Sequence, residues 1–190
     1  MRTLTEITAS TATNLITVDD FRLYAKAVDI EAEDTLIANQ IKASVKFIEN
    51  FIGQSINANT IELTIWDVQE FDVTDGIALE LPMSPITSVT SVKGYDNQGI
   101  ETTLTLDTDW YKLQPSERVR IIDLSYDSYK ISYTAAMTST QFDDNLRTAV
   151  LKIASELYDK RSISVIGTIT AEMKLNIYQM LNGYRKNLNW

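Results

Sequence analysis

The side chains in this sequence that could do chemistry are almost all carboxylates. Histidine and cysteine are both absent, which removes the imidazole shuttle of Ser-His-Asp and Cys-His catalysis and the usual zinc ligands. What survives is carboxylate acid–base work, an oxygen-ligand metal site, or a lysine or tyrosine acting alone. Glu80 with Asp107 or Asp109 has the composition of a glycosidase pair, but the mechanism needs a fixed carboxylate separation that sequence does not supply. Acidic residues are abundant here in any case. The runs 96–99 (Asp-Asn-Gln-Gly) and Asp72–Asp75 offer calcium-type oxygens. Neither has EF-hand spacing, so ordinary hairpin turns are the better reading. No Gly-x-x-x-x-Gly-Lys loop exists to cradle a nucleotide. These observations argue against an enzyme and imply no cofactor and no metal.

Charge narrows the partners. The chain carries 26 acidic and 17 basic residues in 190, a net charge of −9. A dedicated nucleic-acid binder neutralises phosphates with Lys and Arg, so this balance is wrong for one. It suits a surface that DNA passes without sticking. A hydrophobic fraction of 44% with 23% charged residues is that of a soluble globular chain. No stretch has the length of an apolar membrane span, and the N-terminal residues lack a signal-peptide core. The expected product is a soluble protein made in the cytosol.

The elements that position these residues follow from periodicity. Residues 1–16 are Thr-rich and weakly patterned, which reads as a flexible arm or an edge strand. Thr17-Val18-Asp19-Asp20 has the form of a capping box, with Ile16 and Phe21 as its hydrophobic staple. The short helix continues through Tyr24, Ala25 and Val28. After the acidic stretch Asp29–Asp34, Ile37, Ile41, Val45, Ile48 and Ile52 recur at spacings of three and four on one helical face, widened by Phe47 and Phe51. Gly53 suits a left-handed C-cap. From 60 to 134 the period is two, with turn residues between runs, predicting an antiparallel meander or small barrel of about five to seven strands. Leu146, Ala149, Val150, Ile153, Ala154, Leu157 and Tyr158 then restore the helical stripe, entered through Asp143 or Asp144 and closed by Lys160-Arg161. A last helix carries Met173, Ile177, Met180, Leu181 and Tyr184.

The fold class expected is α+β, a helical layer from both ends of the chain with an antiparallel β region inserted. The two long helical stripes should pack on each other. The organisation expected is an arm over 1–16, one domain over 17–161 (helices 17–53 and 143–161, β region 60–134) and a helical segment over 162–190.

Three stretches in this order carry a resemblance. The first is the helix pair from Thr17-Val18-Asp19-Asp20 to Phe51-Ile52-Gly53. The second runs Leu79-Glu80-Leu81-Pro82-Met83-Ser84-Pro85-Ile86, then Val89 and Val92, to the turn at Tyr95-Asp96. The third is Tyr129-Lys130-Ile131-Ser132-Tyr133-Thr134-Ala135-Ala136 followed by the helix ending Leu157-Tyr158-Asp159-Lys160-Arg161. Together they resemble the head–tail connector, or adaptor, family of long-tailed phages and prophages, over roughly Thr17 to Arg161. Pro82, Pro85, Ile86, Val89, Val92, Tyr95, Tyr158 and Arg161 are the motif residues, with a structural part to play. Ala136 stands where the family usually has Gly.

The resemblance implies a virion protein at the head–tail interface. It implies a ring of copies, commonly twelve, docked on the portal, extending the DNA channel and offering a platform to a tail-proximal stopper or tail completion protein. It also implies that the C-terminal segment reaches toward the portal, with Met173, Ile177, Met180, Leu181, Tyr184 and Trp190 as contacts. The bland alternative is that this methionine-bearing stripe packs on its own domain. Lys42, Lys46 and Lys152 read as solvated helix positions. Pro82-x-x-Pro85 reads as a rigid turn in preference to an SH3 ligand. A competing function is a tail or baseplate accessory protein whose β lobe binds carbohydrate through surface aromatics; Trp66, Trp110 and Tyr111 look like core instead. A carboxylate hydrolase of the lysis or tail apparatus is the third.

Overall fold

In the computed structural model, residues 2–11, 15–26, 31–66, 76–113, 117–159 and 171–186 are described. The chain is α+β, as its alternating periods dictate, and it divides into two compact units. One unit comprises residues 1–11, 57–136 and 187–190; the other comprises 12–56 and 137–186. The division follows the change of period: strand-forming alternation cannot bury into a helical stripe, so each builds its own core.

The helical unit contains α1 (Val18–Ala25), α2 (Asp34–Ile52), α3 (Asp144–Asp159) and α4 (Ala171–Leu181). α1 begins at the predicted capping box: the Thr17 hydroxyl accepts the Asp20 amide at 3.1 Å, and the Asp20 carboxylate accepts the Thr17 amide at 2.8 Å. That amide bond, ahead of the nearby Arg147 charge, holds Asp20 below its ordinary carboxylate range. The helix stops at Lys26 in the left-handed region, short of Val28, which lies outside the described residues. α2 starts without a side-chain cap and ends on Gly53 at φ +69°, where a side chain would be strained. Asp143 is the residue that caps α3, accepting the amides of Asn145 and Leu146 at 3.1 and 3.0 Å. The stripes of α2 and α3 pack on each other in one core with Phe21, Met137, Phe142, Ile177 and Leu181. The expected closure of α3 at Lys160-Arg161 lies outside the described residues.

The β unit holds β1 (Arg2–Thr11), β2 (Ala58–Trp66), β3 (Ile77–Glu80), β4 (Ile86–Tyr95), β5 (Glu101–Thr103), β6 (Trp110–Leu113), β7 (Arg118–Ile121) and β8 (Ser128–Ala135). Five of them form one sheet in the order β1-β2-β8-β4-β5, and three form another, β3-β7-β6, antiparallel throughout. This is neither a meander nor a closed barrel: the larger sheet ends at β1 and β5. β8 is drawn between β2 and β4 because all three alternate apolar residues on the same face. Ile61, Leu63 and Ile65 lie across from Tyr133, Ile131 and Tyr129, and Val92 lies across from Ile131. The smaller sheet supplies Leu79, Val119, Ile121 and Trp110 to the same core.

Of the arm and the edge strand that the sequence allowed for 1–16, residues 2–11 take the strand. Residues 2–11 pair along β2 as the edge strand that the Thr-rich, β-branched sequence also allows. Nearly every side chain of β1 is exposed.

Candidate functional site

Of the carboxylates that might have done chemistry, Glu80, Asp96 and Asp109 are engaged in structure. Asp109 accepts the Thr105 amide at 2.7 Å, holding the turn in which Asp107 sits at φ +66°. Glu80 lies 3.8 Å from Arg118, its neighbour across the β3–β7 pair. Asp96 accepts the amides of Gln98 and Ile100 at 2.9 and 2.8 Å, so the loop is a hairpin turn closed on its own backbone. Asp72–Asp75 lies outside the described residues. Among the described residues no group of three or more carboxylates is placed to hold a metal ion, and no helix is long and apolar enough to cross a membrane.

The Pro82–Tyr95 motif is a clasp inside the β unit. The buried Tyr133 hydroxyl donates to the Pro82 carbonyl at 2.9 Å, and burial pushes that phenol well above its ordinary pKa. Glu117 grips both sides of the turn, its carbonyl accepting the Leu81 amide at 3.1 Å and its carboxylate the Ile86 amide at 3.2 Å. The Ala136 amide donates to the Pro85 carbonyl at 3.1 Å. The Ser84–Pro85 peptide is cis, and Met83 has φ +55°. Ile86 and Val92 are buried, and Val89 packs against their core. Tyr95 donates to Glu101 at 2.6 Å; that bond, more than burial, raises its pKa to about 12.

The aromatic trio considered for carbohydrate is split. Trp110 is buried, with its indole N–H donated to the Leu104 carbonyl at 3.2 Å, and Tyr111 is half-buried. Trp66, expected in the core, is 37% exposed at the end of β2. It stands on the face opposite Ile65 because the strand's alternation carries it there.

The C-terminal helix resolves into two faces. Ile177 and Leu181 are fully buried in the helical core, and Met180 packs half-buried against it, 3.8 Å from the Lys152 ammonium. Lys42 and Lys46 are exposed on α2. Tyr184 donates its hydroxyl to Asp143 and accepts from the Asn145 side chain at 3.4 Å. The tyrosine bond is the main reason that Asp143 lies below its ordinary range; burial, then the carboxylate, raises Tyr184. The Gln54 side chain donates to the Tyr184 carbonyl, and the Lys186 amide to the Ile52 carbonyl at 2.9 Å. The described part of the segment, 171–186, is thus clasped to the end of α2. The side chain of Met173, and Trp190, lie outside the described residues. Tyr158, on α3, donates to Glu33 and meets Phe21 edge-on at 5.4 Å; Arg161 lies outside the described residues.

Sequence reasoning missed the helix's outer face. Tyr178 stacks on Phe51 at 4.6 Å and 16°, with the Arg185 guanidinium 5.7 Å from the Phe51 ring centre. With Gln179 and Asn182 they line a shallow surface hollow. Phe51 was visible as a residue widening the α2 stripe, but nothing in the α4 period singled out Tyr178.

Against known proteins, no family model matches the sequence, and no curated protein matches it significantly. Solved structures do match the fold. A chain from the neck of an empty gene transfer agent (GTA) particle, computed with C6 symmetry, superposes with a TM-score of 0.71 at 18% identity, covering 98% of this chain and 97% of that one. A chain of the virion of the native GTA particle gives 0.70 at 19% identity, and one from the native neck computed with C12 symmetry gives 0.70 at 17%, each with the same coverage. At this identity the likeness establishes a shared fold along nearly the full length of both chains.

Proposed function

We propose that this chain is a structural subunit of a phage-type neck: a head–tail connector that assembles as a ring, commonly of twelve copies, on the portal. The ring extends the DNA channel and carries the platform for a tail-proximal stopper or tail completion protein. The observation that supports this best is the fold match to neck chains over 98% of the sequence. It takes in both units, so it reaches beyond a shared helical pair or a common sheet. The neck symmetries belong to the matched particles; a ring of this chain is the reading that they support. The carboxylates engaged in turns and pairs favour a structural role over an enzymatic one. Net charge of −9 suits a channel past which DNA slides without specific binding. The protein then resides in the virion at the head–tail interface, after synthesis in the host cytoplasm, and needs no membrane or cofactor.

The portal contact we assign to the C-terminal segment is narrower than the stripe of Met173, Ile177, Met180, Leu181, Tyr184 and Trp190. Ile177 and Leu181 are committed to the core, so the outer face with Tyr178 and Arg185 is the better candidate. Light scattering across a concentration series, with and without the cognate portal ring, tests the function. Ring-sized particles, or a monomer that joins the portal in fixed stoichiometry, are expected. A monomer indifferent to the portal overturns the proposal.

A further inference from the structure

We infer that the ring is joined by its β-sheets: β1 of one copy adds to the open edge of β4 of the next, continuing the five-stranded sheet from subunit to subunit. This inference rests on the ring reading above and names the seam. β1 is ten residues long, runs along β2 for its whole length, and among the described residues has no strand on its other side. Natural edge strands are shielded by shortness, proline, charged side chains, bulges or a covering segment. β1 contains neither proline nor lysine and is long, its side chains are exposed on both faces, and its shielding is limited to Arg2, Glu6 and one register shift between Ile7 and Ala9. Such an edge is a template for strand addition.

The opposite end of the same sheet supplies the complement. β5 pairs with β4 only over Lys93–Tyr95. Beyond it, Val92 accepts the Leu104 amide and Ile86 donates to Glu117. Between them, among the described residues, no backbone bond is made by 87–91 on the side facing away from β8, a stretch with register shifts between Ile86 and Ser88 and between Val89 and Ser91. A ring of more than two copies requires a heterologous contact, one surface meeting a different one; two unlike edges of one sheet meet that requirement. Direction agrees as well. Every neighbouring pair in the order β1-β2-β8-β4 is antiparallel, so β1 and β4 run oppositely. A copy's β1 laid beside its neighbour's β4 in the same orientation makes another antiparallel pair. The register runs Ala9 to Thr60, Thr60 to Thr134 and Thr134 to Ser88. Glu6–Ser10 therefore lies level with the open stretch of β4.

The absence of native cysteine makes the seam directly testable. Within one copy, Ala9 and Ser88 are three strand spacings apart, about 14 Å, too far for a disulfide, which needs Cα atoms within about 7 Å. A chain carrying Ala9→Cys together with Ser88→Cys can therefore cross-link only between copies. Thr87→Cys and Thr90→Cys replace Ser88→Cys in parallel chains to allow for a shift in register. Rings are assembled, with the cognate portal ring if they need it, then oxidised and run on a denaturing non-reducing gel. The expected result is a ladder of covalent multimers for at least one pair, with each single-cysteine chain stopping at monomer. Intact rings with no ladder from any pair overturn the seam and leave the ring reading standing. Dimers from Ala9→Cys alone, at the yield of the pairs, mean that β1 meets β1 across a two-fold axis and also overturn it. Failure to form rings in any condition overturns the ring reading itself.

Discussion

In the helical unit, apolar stripes do the burying and most polar contacts sit at helix ends: Thr17 and Asp20 at the start of α1, Asp143 with Tyr184 at the start of α3. In the β unit, the buried residues themselves carry polar ends that reach back to loops. Tyr133 holds Pro82, Trp110 holds Leu104, and Tyr129 donates to the Asp123 carbonyl at 3.0 Å while accepting the Tyr126 amide at 3.2 Å. Burial is the main reason that Tyr129 is pushed up to about 12. Helices satisfy their own backbone, so they need polar help only at their termini. Loops between strands have no such internal partners, and bonds from the core fix them. The β unit is thereby built to present fixed loops and one long bare edge, while the helical unit is built to hold a core.

The contrast can be broken by substitution. Ile48→Ala, deep in the helical core, should cost about 2–5 kcal/mol, read as a lower denaturant midpoint with the helical unit's amides losing protection in hydrogen exchange. Tyr133→Phe should cost about 1–3 kcal/mol by leaving the buried Pro82 carbonyl without its donor. Faster exchange around Pro82 and Ile86 is the local signature; unchanged stability would mean that the clasp does not hold the turn. Thr17→Ala should cost about 1 kcal/mol through loss of the α1 cap, with Thr17→Ser restoring most of it.

The smallest effect is a pH dependence. Asp143 has a folded pKa below its unfolded one, so its contribution is present above the unfolded value and lost as pH falls through the folded value. Tyr184→Phe removes the largest cause of that depression. Denaturant unfolding followed downward from about pH 5 should show a shallower loss of stability in Tyr184→Phe than in the parent chain. An identical slope would place the cause elsewhere.

What could be read beforehand from sequence followed local physics. The Thr17 box, the Gly53 cap and the paired stripes of α2 and α3 are each fixed by residues a few positions apart. The period of two over 60–134 likewise marked the β region, in which Ile61, Leu63, Ile65, Tyr129, Ile131 and Tyr133 are buried. Strand order was beyond it, because β8 sits between β2 and β4 through pairs as far apart along the chain as Asn59 and Ala135, and alternation is the same in every strand. Where one unit gives way to the other was beyond it for the same reason. Met137 and the strand end at Ala135 are near neighbours in sequence, and only packing assigns them to different cores. Ile177 and Leu181 form a stripe that serves a partner or the chain's own core equally well; α2 and α3 claim it.

The central claim is assembly on a portal, and mass measurement of the purified protein mixed with its cognate portal ring tests it most directly. One saturating complex with a fixed number of copies is expected, twelve for a twelve-fold portal, whose formation survives Ile177→Val but weakens when Tyr178 and Arg185 are replaced by alanine. A protein that remains free of the portal at every ratio, or that binds in no fixed number, would contradict it.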